Sequence, residues 1–176
     1  MKNRLPKIEA IAPVYAIISF IIYGWTFVLF FWKLPSWVDF LTPAEIFGAF
    51  SYSVITNLVE SMIVIICLLV LCMLLPSRTM RDTFAAYGSV IAIIGLGSVM
   101  LYQYHYRAVR LEFASELKPW ALATIVAILL SVFLTAKIKL IKAIILNIAD
   151  RMVIFLYIFI PLSILCVLDV IARNLG

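Results

Sequence analysis

The chain has 176 residues, 66% of them hydrophobic and only 13% charged, and its formal net charge is +5 at pH 7. Soluble domains run at about 45–50% apolar and about 25% charged, so a water-soluble globule could not cover this much apolar surface. Lysine and arginine cluster at the ends of apolar runs rather than along one face or tail, which argues against nucleic acid as the target of the positive charge.

Crossing a hydrocarbon core of roughly 30 Å takes about 20 apolar residues in a helix. Five such runs follow one another, at about residues 10–32, 50–75, 84–102, 120–136 and 152–172. The alternating apolar and polar pattern of barrel strands is absent. The expected architecture is all-α: a polytopic transmembrane helical bundle of five spans forming one membrane domain over residues 1–176, with no internal repeat, linker or low-complexity tract.

Met1 to Phe31 has the basic start and apolar run of a secretory leader. The run is too long for one, and the "FFWKLPSW" that follows offers no small-x-small cleavage site, so a retained first span is expected. The connection at residues 33–49 sets Trp37, Phe40, Leu41 and Phe47 beside Asp39, Thr42 and Glu45, with Pro35 and Pro43 as breakers. It is expected to lie in the interface as an amphipathic turn or short helix. Thr42, Pro43 and Glu45 also read as an N-cap, an N1 proline and an acidic first turn, so the second helix is expected to begin ahead of its apolar run.

The second run contains the sharpest polar signal. Ser53, Asn57, Glu60 and Ser61 recur at spacings of three and four, which stack on one side of a helix. A charge near the centre of a span costs about 2.5–3.5 kcal/mol on insertion scales, so it is expected to face protein or water. The seam suits three roles: hydrogen-bonded glue within a bundle, a seat for a partner helix's cation, or an ion, proton or polar-substrate site. No lysine or arginine lies inside any of the five runs to pair with Glu60.

In the third run Ala85, Gly88, Ser89, Ala92 and Gly95 form a small-residue strip, the pattern that lets helix backbones approach closely. Residues 103–119 follow as a second interfacial segment, in which tyrosines and Trp120 suit an aromatic belt. His105, Arg107 and Arg110 there form a candidate rim for a lipid headgroup or a quinone, while Glu112 and Glu116 suit a wet face. The fourth run is short and is expected to borrow a turn from this segment.

Residues 137–151 bring Lys137, Lys139, Lys142 and Arg151 to anionic headgroups, where each cation is worth about 1 kcal/mol. In the fifth run Pro161 removes a backbone donor to the Tyr157 carbonyl and is expected to kink the helix. Asp169 and Arg173, one turn apart, are a possible ion pair.

Cys67, Cys72 and Cys166 lie inside runs without metal-type spacing and are expected to be packing residues. The single histidine excludes paired-His metal and haem sites within one chain. Nucleotide-loop, nucleophile-elbow and zinc motifs are missing. No catalytic residue, cofactor or metal is therefore assigned, and an enzyme is the less favoured class.

With the N-terminus inside, nine cations fall on the inner side (Lys2, Arg4, Lys7, Arg78, Arg81, Lys137, Lys139, Lys142, Arg151) and five outside (Lys33, Arg107, Arg110, Lys118, Arg173). The positive-inside rule then favours N-in and C-out, with a bacterial or archaeal cytoplasmic membrane as the expected location. Membrane lipids and other membrane subunits, or further copies of the chain, are the expected partners. The favoured role is an accessory or assembly subunit acting by helix packing. The alternatives are a homo-oligomeric channel or transporter using the Glu60 seam, and a lipid- or quinone-handling enzyme using the His105 rim.

Overall fold

The structure is a computed structural model that describes residues 6–74, 83–105 and 113–175. Five helices account for nearly all of them: α1 (Ile8–Val38), α2 (Pro43–Leu74), α3 (Phe84–His105), α4 (Phe113–Lys137) and α5 (Lys139–Leu175). No strand occurs among the described residues. Each helix holds a stretch long and apolar enough to cross a membrane, with mean hydropathy between 2.0 and 2.6. Inside hydrocarbon every backbone N–H and C=O has to be satisfied within its own segment, and helices do this. The chain is a multi-pass integral membrane protein, and its outer surface is correspondingly rich in exposed side chains such as Leu122, Leu129, Ile164 and Leu165.

The helices overrun the apolar runs, and the two flanking segments expected as separate interfacial elements at residues 33–49 and 137–151 are absorbed into them. α1 continues through Pro35 to Val38 and α2 starts at Pro43, leaving only residues 39–42 between. Pro35 deletes a single hydrogen bond, to the Phe31 carbonyl, close to the helix end where headgroups can replace it. Pro43 occupies the first helical position, whose N–H has no intrahelical acceptor in any case.

Thr42 and Glu45 then close a capping box. The Glu45 N–H donates to the Thr42 hydroxyl at 3.3 Å, and the Thr42 N–H donates back to Glu45 Oε2 at 2.7 Å. At the opposite end, Ile138 alone separates α4 from α5. α5 then runs unbroken through Pro161 for 37 residues, or about 55 Å at 1.5 Å per residue. Its lysine-bearing first turns therefore have length to spare beyond the hydrocarbon, while Leu146, Ala149 and Met152 already pack into the core.

α1 is the hub. It packs against α2, α3 and α5, and 44% of its most apolar stretch is buried, against 6% for α4, which leans mainly on α3. Two cores stack along α1. Its first half meets the second half of α2 and the start of α3 through Val14, Ile17, Ile18, Ile65, Leu68 and Phe84. Its second half meets the start of α2 and the end of α5 in an aromatic core built on Tyr23, Val54, Phe159 and Cys166. There the Tyr23 ring stacks on Phe159 with centroids 4.6 Å apart, and Phe27 stacks on Phe50 at 5.9 Å.

The small-residue strip of α3 sets the α1–α3 distance within this chain. A Cβ on Gly88 would lie 3.2 and 3.3 Å from the two Val14 methyls. Ser89 and Ala92 are buried, and the Ser89 hydroxyl donates to the Ala85 carbonyl at 2.6 Å. Gly95 has turned toward α4, with the Ile128 Cδ1 atom 3.9 Å from where a Cβ would stand.

Candidate functional site

The polar seam of α2 divides between two surroundings. Val54, Asn57, Ser61, Ile65, Leu68 and Cys72, spaced by three and four, form the buried face of the helix. On that face the Thr26 hydroxyl of α1 donates to Asn57 Oδ1 at 2.8 Å. Ser61 lies 3.3 Å from the Tyr15 hydroxyl of α1 and donates to the Leu58 carbonyl at 2.9 Å. Ser53 turns back on its own helix and donates to the Ala49 carbonyl at 2.8 Å. Asn57 and Ser61 make bundle contacts, and Ser53 is satisfied within its own helix. Glu60 stands on the flank of the same helix and is exposed.

What Glu60 faces is a lateral cleft of about 310 Å³ between α1, α2 and α3. α1 supplies Ile22, Trp25 and Thr26, α2 supplies Glu60, Ile63 and Val64, and α3 supplies Leu96, Val99, Met100 and Gln103. The wall is largely apolar. Its polar groups are the Glu60 carboxylate, the Thr26 hydroxyl and the Trp25–Gln103 pair, in which the indole N–H donates to Gln103 Oε1 at 3.0 Å. Among the described residues Glu60 has no hydrogen bond and no ion pair. Behind Thr26, Asn57 is 2% exposed and its amide nitrogen has no acceptor. An orphaned buried donor of this kind costs about 1–3 kcal/mol.

The second carboxylate in a span is handled differently. Asp169 of α5 accepts the Ser51 hydroxyl at 2.7 Å and the Arg173 Nε–H at 3.0 Å. Arg173 lies against the start of α2: its Nη1 would be 3.0 Å from a Cβ on Gly48, and its guanidinium carbon sits 5.9 Å from the Phe47 ring centre. The Asn174 amide donates to the Tyr52 hydroxyl at 3.3 Å beside it. This clasp ties the first turns of α2 to the last turns of α5 and gives both Asp169 oxygens a partner.

A third polar group joins α3 to α4. The Trp120 indole donates to the Ser98 hydroxyl at 2.8 Å, and Ser98 also bonds the Thr124 hydroxyl. Apolar cavities of about 420 and 430 Å³ lie beside it. The first of them shares Val99 and Gln103 with the Glu60 cleft.

His105 is exposed at the end of α3, whereas Arg107, Arg110 and Glu112 lie outside the described residues, so the candidate headgroup rim is placed only at His105. Pro161 is exposed on the outer side of α5 and lines none of these cavities. Cys67 is exposed while Cys72 and Cys166 are buried, and all three are free. No group of three His, Cys, Asp or Glu able to hold a metal occurs among the described residues.

The cleft residues that sequence reasoning missed are Trp25, Thr26 and Gln103. Thr26 carried a legible signal as a hydroxyl inside an apolar run, but the Trp25–Gln103 bond joins positions 78 residues apart and has no local signature. Compared with known protein families, curated proteins and solved structures, the chain shows no match.

Proposed function

We propose that this small integral membrane protein is an accessory or assembly subunit that docks a helix of another membrane protein at the α1/α2/α3 cleft. The observation that carries this reading is Glu60, a carboxylate near the middle of a span that points out of its own bundle with no partner among the described residues. A lone charge at that depth is costly in lipid, by about 2.5–3.5 kcal/mol on insertion scales. Residues of this kind are retained where protein or water covers them. The lipid-exposed sides of α4 and α5, by contrast, are apolar and suit lipid as they stand.

On this reading the start of α1, the end of α2, the start of α3 and the α4–α5 turn face the cytoplasm, because that arrangement puts nine of the 14 cations of the sequence inside. The test is extraction from the native membrane in a mild detergent, followed by the mass and composition of the particle. A second chain in fixed stoichiometry is expected. A particle built only from copies of this chain would overturn the accessory role and shift attention to proton or ion flux through Glu60 variants.

A further inference from the structure

We infer that the group seated in the cleft is a single cationic side chain, a lysine or arginine, carried near mid-membrane by a helix of a different protein. The inference rests on the docking reading and specifies its chemistry. Three observations lead to it.

The first is charge. Among the described residues Glu60 is the one titratable side chain lining the cleft, and none of the other lining residues can neutralise it. A cation is the group that pairs with a carboxylate on an apolar wall, because Coulomb attraction grows as its surroundings become less polar.

The second is shape. Trp25 is held by its indole N–H on Gln103 Oε1 at 3.0 Å, which fixes the ring in the cleft wall. An immobilised indole face and an apolar lining suit the stem and head of a long cationic side chain, through cation–π attraction and packing of its methylenes. The remaining polar wall group, the Thr26 hydroxyl, already donates to Asn57 Oδ1, which leaves it as an acceptor for an incoming N–H.

The third favours a different protein over a second copy. The sequence has no lysine or arginine between positions 34 and 77, 82 and 106, 119 and 136, or 152 and 172. The cations of this chain therefore sit at span ends, away from the middle of α2 where Glu60 stands. A cation carried at mid-helix fits a different chain better than a second copy.

The experiment places a photo-crosslinking amino acid at Ile63, on the cleft wall, in the full chain expressed in its native membrane. It is combined with Glu60→Gln, Val99→Trp or Glu45→Gln. Glu60→Gln keeps the shape and removes the charge, Val99→Trp fills the cleft and keeps the charge, and Glu45→Gln removes an exposed acid from the start of the same helix. In a parallel arm, purified protein is titrated with tetraphenylphosphonium and tryptophan emission is recorded.

A crosslink to one other protein is expected, lost by about tenfold or more in Glu60→Gln and Val99→Trp and unchanged in Glu45→Gln. A crosslink to another protein that survives Glu60→Gln would overturn the cation while leaving the docking reading standing. Crosslinks confined to this chain or to lipid would overturn both. Glu60-dependent binding of the free phosphonium without any protein crosslink would show that the cleft takes a small lipophilic cation, and would overturn the proposed donor helix.

Discussion

Asp169 and Glu60 are both carboxylates inside apolar helices, yet the bundle treats them in opposite ways. Asp169 is enclosed by Ser51, Arg173 and, through the arginine, the Gly48 and Phe47 surface of α2. Glu60 looks into an open cleft with no bond to any described residue. The closed region belongs to the aromatic core, where polar groups are paired: the Tyr23 hydroxyl lies 2.6 Å from the Ser163 hydroxyl, which in turn donates to the Phe159 carbonyl at 2.7 Å. The open region has an orphaned amide at Asn57 behind an unpaired acid. The bundle satisfies one carboxylate from two side chains, Ser51 and Arg173, and leaves the other without a partner among the described residues. Under the proposed docking role, Glu60 and its cleft form a surface for something outside the bundle, and the closed region keeps α1, α2 and α5 in register.

If that division is right, damage to the closed side unfolds the protein and damage to the open side does not. The largest effect is expected from Tyr23→Ala. Tyr23 is almost fully buried, stacks on Phe159 and bonds Ser163, so truncation removes a ring and a hydrogen bond from the aromatic core. A loss of about 3–5 kcal/mol is expected, the range for aromatic truncations in close-packed interiors. It is measurable by equilibrium denaturation of the protein in micelles. A loss no larger than that of a lipid-facing control such as Leu129→Ala would erase the distinction.

A smaller effect is expected at the junction of the two regions, where Gly88 sets how closely α3 approaches α1. Gly88→Val forces methyls into Val14, whose own methyls are 3.2 and 3.3 Å from the Cβ position. Overpacking of this kind costs about 1–3 kcal/mol. Separating α1 from α3 also widens the cleft above, so Trp25 should lose its bond to Gln103 and its emission should shift toward that of a wetter indole. Gly24→Ala is the matched comparison, since nothing lies within 4 Å of a Cβ there. It should cost nothing, and an equal loss at both positions would show that the strip does not set the helix spacing.

The two regions were unequally legible in the sequence, and for a physical reason. The five helices follow from composition, because hydrocarbon leaves a chain almost no alternative to intrahelical hydrogen bonding. The Asp169–Arg173 pair was readable because its members are one turn apart on a single helix, and the Thr42–Glu45 cap because its members are three residues apart. The polar seam of α2 was also legible, but not its division: Asn57, Glu60 and Ser61 share a helix side, and only the positions of α1 and α3 decide that two are covered and one is not. Trp25, Thr26 and Gln103 join Glu60 through contacts between distant parts of the chain. Their pairing depends on how the helices cross, which the pattern along any one helix does not contain. Pro43 read as an N1 proline as well as a breaker, and it does open α2, whereas Pro35, read as a breaker, sits inside the last turn of α1, where a missing N–H costs little.

The smallest stability change, and the most discriminating result, is expected from Glu60→Leu. Glu60 is exposed, bonds nothing among the described residues and sits on an otherwise apolar wall. Leucine there removes no contact within the bundle and relieves a charge in lipid. In micelles the stability should change by no more than about 0.5 kcal/mol, the range for surface substitutions away from special features, and in a bilayer it should rise. The same variant should lose the second chain from the native particle. Tyr23→Ala should show the reverse ordering, with unfolding first and loss of the partner only as its consequence. A Glu60→Leu protein that unfolds as readily as Tyr23→Ala would mean that the carboxylate holds the bundle together, and the cleft would then be part of the core rather than a surface. A variant of unchanged stability that no longer assembles would separate the two carboxylates by role: Asp169 for holding the fold, Glu60 for meeting a partner.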